Sequence, residues 1–195
     1  MVTSGLSKSV ALGGWRIGFT RLPPGGLGKE IRDNLVGLAS EVWSSMATPM
    51  QEVAGYVLDE PEEVTNHVAT SRRLHASVSQ TVYRAFTEAG ATCREPSAAF
   101  YLYPELPHLR PDLAGRGITT GEQLADMLLE RHGVAVLAGE HFGDEPTACR
   151  FRVATSQLYG STDEQRWQAL RSKIPAELPW VKDSLNHLRS ALAAL

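Results

Sequence analysis

Between Pro61 and Gly90 the chain reads as one long helix, and no other stretch constrains the fold as strongly. Pro61 lacks the N–H that a first helical turn leaves unpaired in any case. Val64, Val68, Leu74, Val78, Val82 and Phe86 recur at helical spacing, and Gly90 supplies a C-terminal cap. At about 30 residues such a helix is long for a globular protein, and it is read as a spine joining two domains.

Shorter elements flank it. Residues 15–22 read as a short buried strand stopped by Pro23-Pro24-Gly25-Gly26. Residues 27–45 carry Leu27, Ile31, Leu35, Leu38 and Val42 at helical spacing. A break follows at 44–49, then a second short helix over 50–58. Residues 98–103 read as a strand whose Phe100, Tyr101 and Tyr103 are expected in the core, and 104–119 as a loop without periodicity. Thr120-x-x-Gln123 is a capping box for a helix closed by Gly133. Residues 134–137 form a very short strand, 139–146 a loop, and 149–155 alternate as a strand. Ser161-x-x-Glu164 reads as a second capping box, opening a helical end interrupted by Pro175 and Pro179. Strands separated by helices exclude a helical bundle and indicate an α/β or α+β fold.

A net charge of −3 and a pI near 6.1 give no general attraction to nucleic acid or acidic membranes. Hydrophobic residues at 43% and charged residues at 21% are ordinary for a soluble protein. Without an N-terminal basic-then-apolar pattern or an apolar run of about 18 residues, a soluble cytoplasmic protein is expected. Cys93 and Cys149 have no metal-ligand spacing, nor do the six histidines, and no metal is expected.

The chemistry is concentrated in residues 5–18, GLSKSVALGGWRIG. Lys8 sits among small residues, and Arg16 follows eight positions later in a glycine-rich turn. A lysine forms an imine with an aldehyde only as the neutral amine, and small neighbours let a bulky group approach it. Arg16 offers a planar fork for a phosphate. A second arginine-bearing segment, Arg150-Phe151-Arg152-Val153, puts both arginines on one face of a strand, which taken alone reads as a solvent face.

Residues 5–18 closely resemble the pyridoxal-phosphate attachment signature of class I/II aminotransferases, enzymes of fold type I. The resemblance extends over essentially the whole chain, as the C-terminal half of such an enzyme. It implies the end of the large cofactor-binding domain over residues 1–58 and an α+β small domain over 59–195. It implies pyridoxal 5'-phosphate as cofactor, Lys8 as the residue that holds it and then shuttles a proton, and Ser7 and Arg16 as phosphate contacts. The family often has a serine three residues before the lysine, where this chain has Gly5.

Residues 134–139, then Phe142-Gly143 and Arg152, are similar to the loop and strand that present the substrate-carboxylate arginine. Arg152 is the matching position, with Arg150 its surface neighbour. Ala138 stands where the family commonly has proline. The implied activity is amino-group transfer between an amino acid and a 2-oxo acid. The alternatives are a lyase or cyclase of the same fold, or a non-catalytic fragment that pairs with a partner chain. A truncated or split form is expected, acting as a homodimer or with a chain that supplies the missing N-terminal half, because the other ring and phosphate contacts lie upstream in the family.

Overall fold

A computed structural model describes all residues, Met1–Leu195. The chain divides into two compact units, Met1–Ala69 and Thr70–Leu195. No helix is long and apolar enough to cross a membrane.

The first unit begins with an antiparallel pair, β1 (Val2–Gly5) and β2 (Gly18–Arg21). Between them lie a single helical turn, α1 (Leu6–Ser9), and a 3₁₀ turn at Gly13–Trp15. The expected strand over 15–22 is therefore shorter and more exposed than its sequence suggests. Trp15 and Arg16 belong to the turn, and Arg16 is left-handed at φ 56°, which ends any extended run. Only Ile17 of that segment is buried. Two helices follow, α2 (Gly26–Val42) and α3 (Thr48–Leu58). Gly28 of α2 cannot carry a side chain, because a Cβ there would stand 1.8 Å from the Pro23 carbonyl oxygen. The predicted apolar stripe of α2 is present in sequence, but Leu27, Leu35, Leu38 and Val42 are all exposed.

The long helix, α4 (Glu62–Glu88), is one unbroken element, and the division between the units falls inside it. In the second unit its Leu74, Val78, Val82 and Phe86 are buried, as their spacing predicts. They belong to one core with residues from a three-stranded antiparallel sheet in the order β3 (Tyr101–Leu102), β5 (Phe151–Ala154), β4 (Leu137–Ala138). Leu102, Phe151 and Val153 supply the sheet's contribution, and the Phe86 and Phe151 rings lie 5.8 Å apart in a tilted arrangement. Helices α5 (Arg110–Gly115), α6 (Gly121–His132), α7 (Asp163–Arg171) and α8 (Pro179–Ala193) complete the unit.

Capping shows where residue chemistry sets the helix ends. Thr120 accepts from the Gln123 N–H at 3.2 Å, and the Gln123 side chain accepts from the Thr120 N–H at 3.2 Å, the reciprocal box read from sequence. Gly133 closes α6 in the left-handed region at φ 63°. The second box is displaced by one residue. Thr162, not Ser161, caps α7 by accepting from the Gln165 N–H, and the Gln165 side chain reaches back to the Ser161 N–H at 2.8 Å. The expected loop over 104–119 also contains α5, with Pro111 in its first turn and Leu113 fully buried. One buried leucine in a six-residue helix leaves no periodicity to detect.

Truncating Phe86 removes the ring that meets Phe151, in a core where it is 1% exposed. Phe86→Ala is expected to cost about 3–5 kcal/mol of stability, read as a shift in the urea midpoint. A polar cluster spans the same core. His75 Nδ1 lies 2.6 Å from the Tyr159 hydroxyl, Ser79 Oγ 3.1 Å from Thr155 Oγ1, and Trp180 Nε1 donates to the Tyr159 carbonyl at 2.9 Å. Burial lowers the His75 pKa from its ordinary 6.5 and pushes the Tyr159 phenol up to about 12. The unfolded chain then takes up the His75 proton at a higher pH than the folded chain does. Its contribution to stability is complete above about pH 6.5 and is lost as pH falls through the folded value. Urea midpoints between pH 7.5 and 5 should fall, and His75→Gln should flatten that dependence.

Candidate cofactor loop and carboxylate-binding strand

Residues 5–18 are the connection between β1 and β2. Their ends, Gly5 and Gly18, are register partners, and the Leu6 N–H donates to the Ile17 carbonyl at 3.0 Å just inside them. Buried Leu6 and Ile17 anchor the loop from within. The Leu12 N–H returns to the Leu6 carbonyl at 3.1 Å, folding the segment back on α1. Ala11 at φ 60° and Arg16 at φ 56° are both left-handed, an arrangement that costs of order 1–3 kcal/mol per residue and concentrates where function fixes the backbone.

This closure brings Arg16 back to the glycine turn that packs against Ser7, next to Lys8 in the chain. Lys8 projects from α1 on the exposed side. Ser7 is half-buried against the glycine turn, where a Cβ on Gly13 would stand 3.9 Å from the Ser7 Cβ. Arg16 Nη1 donates to the Gly13 carbonyl at 3.0 Å, and no carboxylate pairs with it. The remaining guanidinium N–H groups have no protein acceptor. A Cβ on Gly14 would meet nothing within 4 Å, so the turn presents open backbone. Before Glu30 the chain has no acidic residue, while Lys8, Arg16, Arg21 and Lys29 are cationic. A hydroxyl, a free guanidinium edge and an excess of positive charge suit an anion of phosphate size.

The second locus is one face of the β3–β5–β4 sheet. Tyr101 pairs with Ala154, and an isolated bridge pairs Glu105 with Arg150, so strand alternation puts Tyr101, Tyr103 and Glu105 on the face that carries Arg150 and Arg152. Leu102, Phe151 and Val153 take the opposite, buried face. The expectation that Tyr101 and Tyr103 lie in the core is thus corrected. Both stand on the arginine face, and Tyr103 is exposed.

The two arginines do not share an environment. Arg150 donates from Nε to Glu105 at 3.1 Å and from Nη1 to Asp144 at 3.1 Å. Burial works against its charge, but the two carboxylates outweigh burial and raise its pKa. It is a strut between β3, β5 and the loop after β4, more than the surface neighbour its position suggests. The Tyr103 hydroxyl donates to Asp144 at 2.6 Å, and desolvation together with that bond pushes its phenol up to about 12. The Arg152 side chain has no ion pair and no hydrogen bond, and its Nε is buried without an acceptor. Its guanidinium carbon lies 4.6 Å from the centre of the Tyr101 ring and 4.9 Å from that of Phe142. The sequence put Tyr101 in the core and Phe142 in the loop leading to Arg152, and it gave neither ring a contact with the guanidinium. The available signal was the Tyr101-x-Tyr103-x-Glu105 alternation, which puts polar-tipped aromatics on the charged face.

Known proteins match this chain over most of its length. The family profile of aminotransferase class I and II matches residues 1–161. An aspartate/prephenate aminotransferase of Cereibacter sphaeroides is 33% identical over 84% of this chain and 38% of its own length. An aspartate aminotransferase of Geobacillus stearothermophilus is 32% identical over 80% of this chain and 37% of its own. Among solved structures, an aromatic aminotransferase from Pyrococcus horikoshii aligns with a TM-score of 0.71 at 20% identity, covering 98% of this chain and 42% of its own. The aspartate aminotransferase of Thermus thermophilus with maleate gives 0.69 at 21% identity, covering 97% and 40%. The chain spans about two fifths of the length of the relatives it matches. The α/β architecture is therefore a part of the transferase fold, and by the profile match and the relatives above 30% identity the chain belongs to the class I and II aminotransferases.

Proposed function

We propose that this chain carries the cofactor lysine and the carboxylate arginine of a pyridoxal-5'-phosphate-dependent aminotransferase, which moves an amino group between an amino acid and a 2-oxo acid. The observation that supports this most is the closed loop over residues 5–18, which gathers Lys8, Ser7 and Arg16 between paired strands. Lys8 would hold the cofactor through Nζ, and Ser7 and Arg16 would bind its phosphate. When bound, the cofactor supplies an electrophilic aldehyde and an electron-accepting ring. Once the amino group of the substrate has displaced it from the cofactor, Lys8 Nζ would be the base that takes the proton from the substrate Cα. Arg152 orients the substrate by pairing its carboxylate. On this reading residues 1–58 are the end of the large domain and 59–195 the small domain.

A further polypeptide is part of the reading. Leu27 is 63% exposed, Leu38 63% and Val42 78%, all on the apolar stripe of α2. Contiguous apolar surface of this kind marks an interaction site. It supports a site completed by a second copy, or by a chain supplying the share of the relatives' length that this chain does not span.

Two measurements test the assignments. Borohydride reduction in the presence of pyridoxal phosphate, followed by peptide mass mapping, should place the adduct on Lys8. Recovery on Lys29, Lys173 or Lys182 instead would remove Lys8 from its role. Arg152→Ala should weaken binding of a dicarboxylate such as maleate by about 2–5 kcal/mol, as removal of one partner of a buried charge pair does. Arg150→Ala should be much milder on binding, its cost of about 1 kcal/mol falling on stability. Equal losses of affinity in the two variants would contradict the separation of their roles.

A further inference from the structure

We propose that Tyr101 and Phe142 are positioning residues that clamp the Arg152 guanidinium by its faces, holding it for a ligand carboxylate without neutralising it. The proposal rests on the reading of Arg152 as the carboxylate site. Two acids, Glu105 and Asp144, lie beside this sheet face, and either could otherwise serve as a counter-ion to Arg152. Both are engaged already. Glu105 is shared by Arg150 and Arg110, and Asp144 by Arg150 and the Tyr103 hydroxyl. Arg152 is left with ring contacts alone, at 4.6 and 4.9 Å.

Ring faces attract a guanidinium through their quadrupole, and they leave its in-plane donors free. An acid would do the opposite, holding the side chain by consuming those donors. The clamp also fixes the direction of approach. Nε is buried and unpartnered, so that edge is closed, and a carboxylate must bind end-on across Nη1 and Nη2. Phe142 is itself held at the surface: it is 49% exposed, yet its ring meets Tyr103 edge-on at 6.2 Å. Gly143 turns the chain behind it at φ 89°, and the Tyr103–Asp144 bond closes the same loop. Exposed aromatic surface is costly, and here it is braced against the one arginine of the face that lacks an acid.

The test follows the Arg152 Nε–Hε signal in the ¹⁵N spectrum of the full chain, assigned by its loss in Arg152→Lys, during titration with maleate. In the wild type the signal should carry an upfield ring-current shift and move saturably with maleate. Phe142→Leu should reduce the ring-current shift and raise the Kd by about three- to thirty-fold. Phe142→Trp, which restores a ring face, should recover most of the affinity. If Phe142→Leu binds maleate as the wild type does, the clamp is refuted while Arg152 keeps its role. Equal weakening by Phe142→Leu and Phe142→Trp in folded protein refutes it too. If maleate leaves the wild-type Arg152 signal unmoved, the carboxylate reading of Arg152 falls and takes the clamp with it.

Discussion

The alternation of β5 is the constraint on which the second unit depends. Four residues, Phe151 to Ala154, must serve a dry core on one side and a charged surface on the other. Phe151 is fully buried and meets Phe86 of α4, while its neighbours Arg150 and Arg152 point the other way. A slip of one residue in the pairing with β3 or β4 would drive a guanidinium into the core and a phenylalanine into water. The penalty on either exchange is several kcal/mol. Register and the placement of both arginines are therefore set by the same requirement, and the arginine face is as strongly specified as the core it backs.

On that face the division of labour follows from how many acids are available. Arg150 takes up Glu105 and Asp144, becoming a bridge between a strand and a loop that share no backbone ladder. Such half-exposed pairs contribute little each, but three groups joined through Tyr103 hold the Gly139–Phe142 turn in one place. The contrast appears two residues away, where Arg152 has two rings against it and no acid at all. A strand with only one arginine could not both brace the loop and leave a guanidinium without an acid.

What the sequence made legible, and what it hid, divides along physical lines. The α4 stripe, the α6 capping box and the lysine loop were readable because each rests on local chemistry: periodicity, a side chain reaching its own helix end, small residues around one amine. The slip from Ser161 to Thr162 shows the limit of that reading. Two hydroxyls stand side by side with acceptors three residues beyond each, and only the backbone decides which one caps. Strand β1 was missed because its four residues include one apolar side chain and no alternation. The contrast between Arg150 and Arg152 was invisible for another reason. It depends on Glu105, Asp144, Tyr101 and Phe142, which come from two separate segments and meet Arg150 and Arg152 only through pairing.

The two units also differ in what stabilises them. The second has a core in which α4, the sheet and α8 bury residues such as Val82, Phe151 and Leu185 almost completely. In the first, Leu6 and Ile17 are the buried apolar side chains, and both serve the lysine loop rather than the helices. Helix α2 buries only Gly28, and α3 buries none of its residues. A helix of that length gains little from propensity alone, since helical stability in proteins comes mainly from packing an apolar face. The stripe from Leu27 to Val42 is built for such packing, yet all of its members but the half-buried Ile31 are exposed. The geometry around Lys8 is thus secured by its own hairpin, through Leu6, Ile17 and the Gly5–Gly18 pairing. This explains how the loop can hold its shape while the adjoining helices still present an unsatisfied apolar face.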